Sequence, residues 1–354
     1  MFKKVLIINI FGIGDVLFTT PLISNIKEYY KDSSIGYLCS CRAKEVVESN
    51  PKIDKIFIYD RDDFYQIAKK SKIVFLKRLF HFFYEIKKEH YDMVIDLSLN
   101  TSMSFLTWIA GIRERIGFNY KNRSIFLNKK IKLLGYDNKH VVEYYLNLLK
   151  KINIPIKYKE LELYLKPDDF VWADNFFKQN HLEDKKIVIG MCPGGGASWG
   201  KDANFKRLPA EKWAKIADKL IEKYSSAIIL MGDVLERDLC QRIANLMRHR
   251  PQIVCGKTTV TQFGALVKKC SLIILNDGGP LHIAVASKAR TISVFGPVNE
   301  NVYGPYTKEK SGIVISDVLC RPCYRRFRKA SCNHMSCLNN ITIEEVLRKV
   351  EDFL

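Results

Sequence analysis

Three short stretches place reactive or ligand-binding side chains beside residues that leave room for a substrate. In the first, Phe11-Gly12-Ile13-Gly14-Asp15 follows the apolar run Val5 to Ile10. An ordinary carboxylate, with a pKa of about 3.9, is ionised at neutral pH and can take a proton from an attacking hydroxyl. Two glycines beside it let a substrate come close to the backbone. A helix-capping aspartate is the plainer alternative for Asp15. The second stretch, Pro193-Gly194-Gly195-Gly196-Ala197-Ser198, is followed by Lys201 and Lys206. The third, Asn276-Asp277-Gly278-Gly279-Pro280, follows the branched run Leu272 to Leu275. Asp277 is placed to accept backbone hydrogen bonds, Gly278 and Gly279 admit a ligand, and Pro280 suits a first helical turn. A strand, a side-chain-free turn and a helix start aim unpaired N–H groups at one point, which suits a phosphate. Taken singly, a double glycine serves packing as readily as binding.

These loops need strands behind them, and the chain supplies two alternating series. Strands are expected at Val5–Ile10, Ile35–Cys39, Ile56–Tyr59 and Met93–Leu97, with helices between them, the longest from Lys72 to Glu89. The segment from Asn153 to Lys186 holds two prolines, a charged strand-like stretch at Leu161–Leu165 and a helix, and reads as a link. A second series starts at Ile187. Strands separated by helices imply parallel sheets covered on both faces, with ligands bound beyond the strand C-termini. At 354 residues the chain exceeds one ordinary core. The expectation is an α/β protein of two Rossmann-like domains, residues 1–158 and 159–354, facing each other across a cleft, with the tail 341–354 packing back on the first.

Composition narrows the partners. There are 57 Lys and Arg against 38 Asp and Glu, a formal charge of +19, which favours a nucleotide diphosphate, a phosphorylated glycolipid or an anionic membrane surface. The charge is dispersed and no RNA-binding signature appears, so nucleic acid is not expected. No apolar run approaches the ~18 residues of a membrane span. In the helix Lys72 to Glu89, Phe75, Phe80, Phe82 and Phe83 alternate with lysines and Arg78, the pattern of either a buried amphipathic helix or a salt-sensitive membrane contact. Ten cysteines without a recognisable secretion signal suit a reducing, cytoplasmic compartment. Cys320, Cys323, Cys332 and Cys337 are spaced to hold a structural zinc or iron, with free thiols or disulfides as the alternatives, and a basic loop including Arg321 surrounds them.

The run D-G-G-P-L-H-I-A-V-A, a strand ending F-G-P, then Y-G-P, resembles the donor segment of family 9 glycosyltransferases, the ADP-heptose:lipopolysaccharide heptosyltransferases. In the same order come V-L-I-I-N-I-F-G-I-G-D-V-L-F-T-T-P-L, R-E-R-I-G-F at 113–118, H-V-V-E-Y-Y-L-N-L-L at 140–149, P-G-G-G-A-S-W-G-K with K-R-L-P-A-E-K-W, and G-K-T-T-V at 256–260. The resemblance implies a GT-B fold, with acceptor bound mainly by the first domain and donor by the second. It implies Asp15 as the general base, and Lys206 on the donor diphosphate, in a donor site with Gly194, Gly195, Ser198, Asp277, Gly278, Gly279 and Pro280. His282 either packs locally or touches the donor. His140, with Gly12 and Gly14, is an acceptor-side candidate, or simply structural. The implied activity is inverting transfer of heptose from ADP-heptose to an anionic lipopolysaccharide core acceptor, at the inner face of the cytoplasmic membrane, with no cofactor required for catalysis. Another nucleotide sugar, a protein acceptor, or a non-catalytic sugar-nucleotide module remain as alternatives. The arginine that the family carries a few residues beyond Asp96-Leu97 is missing from S-L-N-T-S-M-S, which leaves the acceptor open.

Overall fold

A computed structural model describes residues 4–196 and 199–354, and of Lys201 only the backbone. Contacts divide the chain into two compact units. One holds the residues up to Tyr136 with Val141–Lys159; the other holds Asp137–His140 with Glu160–Leu354.

In the first unit six strands form one parallel sheet: β1 (Lys4–Asn9), β2 (Ser34–Cys39), β3 (Lys55–Ile58), β4 (Met93–Asp96), β5 (Glu114–Tyr120) and β6 (Lys129–Leu133). Their order across the sheet is β3-β2-β1-β4-β5-β6. K-V-L-I-I-N lies at the centre because branched apolar residues on both faces need cover on both sides. The cover comes from α1 (Ile13–Leu17), α2 (Thr20–Tyr29), α3 (Lys44–Glu48), α4 (Arg61–Lys70), α5 (Lys72–Lys87), α6 (Thr101–Ile109) and α7 (Val141–Lys150). β6, K-K-I-K-L, is an edge strand whose charges hide it from a sequence reading and suit an edge. Winding reverses between β1 and β4, and Ile8 stands in register with Asp96.

The second unit repeats that plan. It opens on α8 (Pro167–Gln179) and carries β7 (Val188–Cys192), β8 (Ala227–Leu230), β9 (Gln252–Ile253), β10 (Leu272–Asn276), β11 (Thr291–Phe295) and β12 (Ser311–Ile315), ordered β12-β11-β10-β7-β8-β9. Winding here reverses between β7 and β10. Helices α9 (Ala210–Tyr224), α10 (Arg237–Leu246), α11 (Val260–Lys269), α12 (Gly279–Ala286) and α13 (Glu300–Tyr303) connect the strands. A short hairpin, β13 (Tyr324–Arg325) and β14 (Arg328–Lys329), leads to α14 (Ser336–Asn339) and α15 (Ile343–Glu351). The core centres on the fully buried Trp213, with Ile189, Leu230, Ile274 and Val294 around it.

Two expectations change. Leu161–Leu165 forms no strand; Leu161 is buried, while Leu163 and Leu165 lie against Gly264 of α11, so packing rather than a ladder holds this extended piece. The tail 341–354 is counted in the second unit. Val346 and Val350 of α15 are fully buried in the second core, and Lys212 of α9 donates to the carbonyls of Asn339 and Ile341, each at 2.5 Å. A helix with one apolar stripe buries it on the nearest open sheet face, here beside β11 and β12.

Candidate functional site

Both sheets have the strand order of doubly wound dinucleotide-binding folds, in which ligands bind beyond the strand ends where the winding reverses. In the first unit that point is flanked by the loops after β1 and β4. Gly12 caps α1, so Asp15 is the third residue of that helix rather than its cap. Asn9, fully buried, braces the loop by accepting from the N–H of Phe11 at 3.2 Å and donating to the carbonyl of Asp15 at 2.9 Å. Gly12 is exposed, Gly14 and Asp15 are half-buried, and Asp15 Oδ2 lies 3.8 Å from where a Gly12 Cβ would stand. Below lie Tyr37 and Tyr145, whose hydroxyls burial pushes well above the usual range, with the charge of Asp15 adding to the effect.

Across the reversal point stands a second carboxyl. Asp96 ends β4, is buried, and accepts from the N–H of Ser98 at 2.9 Å. Burial pushes its pKa up to about 6, against the opposing hydrogen bonds of Ser98. A small recess beside it is lined by Asn100, Ser104 and Arg123, among others.

In the second unit the loops after β7 and β10 interlock. Gly195 and Gly196 have φ of +75° and +82°, a left-handed backbone that favours glycine. A Cβ on Gly278 would stand 1.7 Å from the carbonyl oxygen of Gly195, so the two glycine turns touch. Three side chains hold the Pro193–Gly196 turn. Glu236, almost fully buried, accepts from the N–H of Gly196 at 2.7 Å and of Asp233 at 3.0 Å. Arg207 donates to the carbonyl of Gly194 at 2.8 Å, and Asn276 to that of Pro193 at 2.5 Å. Burial pushes the carboxyl of Glu236 up, against the pull of those N–H groups and Arg207. The only sequence sign of Glu236 is its capping-box spacing from Asp233.

Lys206, itself buried, ends a 3-10 turn at Gly200–Lys206 and pairs with Asp277 Oδ2 at 2.6 Å. Its ammonium also sits 4.8 Å from the centroid of Trp199, whose ring lies 5.1 Å from that of Tyr324. Asp277 therefore clamps this lysine instead of capping α12, whose cap, Gly278, has no side chain to offer. Gly279 and Pro280 open α12. His282, on the same helix, is buried, and burial holds its ring well below the histidine range, the charges of His140 and Lys206 adding to this.

His140 belongs to the second unit. Its Nε2 lies 3.0 Å from the carbonyl of Gly304 and its ring 4.7 Å from Tyr306. Ser198 lies outside the described residues. Arg321 is no free cation either: it donates to the carbonyl of Gly296 at 2.6 Å and to Glu300 at 2.8 Å, fixing the loop after β11.

The four C-terminal cysteines, whose spacing suits a structural zinc or iron, free thiols or disulfides, lie in the second unit. All are free thiols, and among the described residues no three potential ligands come together to hold a metal ion. Cys337 is drawn into the second core while Cys320 stays exposed. They remain near enough to influence one another: burial pushes Cys337 up to about 11, with the charges of Cys323, Cys320 and Cys332 adding to it.

Known proteins give the same arrangement a family. Residues 79–334, more than half of the chain, match the model of glycosyltransferase family 9 (heptosyltransferase). That span includes Lys206 and Asp277 but begins after Asp15. Lipooligosaccharide heptosyltransferase 2 of Campylobacter jejuni is 25% identical over 350 residues, covering 97% of this chain and 95% of the relative. A family 9 glycosyl transferase from Veillonella parvula superposes with a TM-score of 0.79 at 22% identity, covering 99% of this chain and 97% of that one. The ADP-heptose heptosyltransferase II of Escherichia coli superposes at 0.75 and 18%, covering 99% and 98%.

Proposed function

This chain belongs to glycosyltransferase family 9, the heptosyltransferases, and from that membership we propose that it moves a heptose from ADP-heptose onto the core of lipopolysaccharide at the cytoplasmic face of the membrane. The observation that carries the reading is the placement of a carboxylate and a clamped cation at the two reversal points. Asp15 follows β1, and the Lys206–Asp277 pair meets at the turn after β10.

Sugar transfer needs a base and a cation. An acceptor hydroxyl attacks the anomeric carbon, its proton passes to the carboxylate of Asp15, and the bond from that carbon to the diphosphate oxygen breaks. A single displacement from the face opposite the leaving group inverts the anomeric centre. The departing diphosphate gains negative charge, which Lys206 and the first N–H groups of α12 offset. Burial beside Trp199 and Asp277 keeps Lys206 in one place, so little reorganisation accompanies the reaction. The proposed chemistry draws on no metal or cofactor. Lys206 already has a carboxylate partner, so the donor either shares the ammonium with Asp277 or displaces it.

The test follows ADP release and the mass of the acceptor, using ADP-heptose and a lipopolysaccharide core that lacks heptose. Wild type should release ADP and add one heptose to the acceptor. Asp15→Asn keeps the side-chain size and removes proton acceptance, so transfer should drop by about 10²-fold or more while ADP binding holds. Near-normal transfer by Asp15→Asn removes the base assignment. Absence of any transfer by wild type, with binding of ADP-heptose retained, turns the reading to a non-catalytic sugar-nucleotide module.

A further inference from the structure

We propose that the outer face of α5 is the surface by which this protein docks on an anionic lipid bilayer. The helix carries two apolar faces. On the inner one Phe64 of α4 meets Phe75 at 6.2 Å and Phe82 at 6.0 Å, Tyr59 meets Phe82 at 5.8 Å, and Ile86 is buried. Arg78 closes the α4–α5 hairpin by pairing with Asp63 at 2.6 Å. That face alone satisfies the packing need of an amphipathic helix.

The outer face is left without protein cover. Ile73, Leu76, Phe80 and Tyr84 are 68%, 61%, 69% and 53% exposed. At about 100° per residue these four fall in an arc of about 80°, turned away from Phe75. Single exposed apolar residues are ordinary, whereas a continuous stripe at helical spacing marks an interaction surface.

Charge selects the occupant. Lys72 and Lys77 flank the stripe and Lys87 and Lys88 follow it, while the one acid of α5, Glu85, is held by Lys88 at 2.6 Å. On α4, Asp62 and Asp63 are both engaged by arginines. An apolar stripe rimmed by lysines, with the nearby acids already paired, fits the boundary between anionic headgroups and acyl chains. A second copy of this chain fits poorly, because two-fold pairing sets lysine-rimmed faces against each other. α5 has 16 residues, too few to cross a bilayer, so it lies in the plane of the surface. No helix among the described residues is long and apolar enough to cross. The inference deepens the proposed function and rests on it for the presence of a membrane-held acceptor.

Flotation of the full chain tests it, with vesicles of phosphatidylethanolamine and phosphatidylglycerol against vesicles of phosphatidylcholine alone. Transfer to a delipidated core acceptor is measured in parallel. Wild type should float with the anionic vesicles, and raising salt from about 0.1 M to about 0.5 M should release it. Leu76→Glu/Phe80→Glu should weaken that binding by about tenfold or more, with unchanged circular dichroism and unchanged transfer to the delipidated acceptor. Lys72→Gln/Lys77→Gln should weaken anionic binding while leaving the stripe intact. The proposal is overturned if the Glu variant floats like wild type, if wild type binds both vesicle types equally or neither, or if the Glu substitutions split a dimer without altering flotation. Flotation as expected, combined with no transfer to any acceptor, upholds the surface and removes the heptosyltransferase reading instead.

Discussion

Lys206, assigned to the donor diphosphate in the proposed function, also holds the fold together. A lysine beyond a glycine loop is ordinarily solvated, yet here the ammonium is buried against Asp277 and Trp199. Lys206→Ala should therefore do more than weaken ADP binding. It strands the carboxylate of Asp277 in a buried position, and losing one partner of such a pair costs about 3 kcal/mol. Lys206→Met/Asp277→Asn removes both charges, so it should recover most of that stability and still bind ADP weakly. Urea unfolding beside ADP titration separates the two effects. If Lys206→Ala unfolds like wild type, the pair is solvated and the clamp does not exist. At this scale the sequence marked Asp15, Lys206 and Asp277 but gave Asp277 the wrong partner, since capping is local and this pairing spans about 70 residues of chain.

The element that most constrains the second unit's site is the contact between its two glycine turns. Gly278 faces the backbone of Gly195, and nothing flexible stands at that contact to move aside. Gly278→Ala should force the turns apart, costing about 2 kcal/mol of stability and weakening ADP binding by about tenfold. Gly12→Ala is the contrast: its Cβ would meet Asp15 Oδ2 at an ordinary 3.8 Å, and Gly12 has an extended φ of −76°, so the fold should hold. Thermal unfolding of both variants checks this. Equal loss in the two, or none in Gly278→Ala, refutes the interlock. Helices follow the same division between local and distant causes. The aromatic and basic pattern of α5 gave its existence, and only the packing of Phe64 onto Phe75 and Phe82 decided which face stays outside.

For the whole molecule, two units with their own sheets and cores should respond separately to ligand. A ligand that binds only the folded state stabilises what it touches. Saturating ADP should slow amide exchange in the loops after β7 and β10 and in α12, and leave β1 to β4 of the first unit near their ligand-free rates. Protection concentrated in the first unit would place the nucleotide there and reverse the assignment of the two halves. The sequence by itself determined the α/β alternation, the glycine turns at the strand ends, the presence of Asp15 and Lys206 beside them, and the family resemblance, because strand and helix periodicity and turn chemistry are properties of neighbouring residues. Tertiary structure decided what depends on residues far apart in the chain. Glu236 reaches back 40 positions to hold Gly196, Asp277 closes on Lys206, and His140 joins Gly304 across 164 positions. α15 stays on the second core. Burial and charge pairing arise only when such distant segments meet, and spacing along the chain carries no record of which segments those will be.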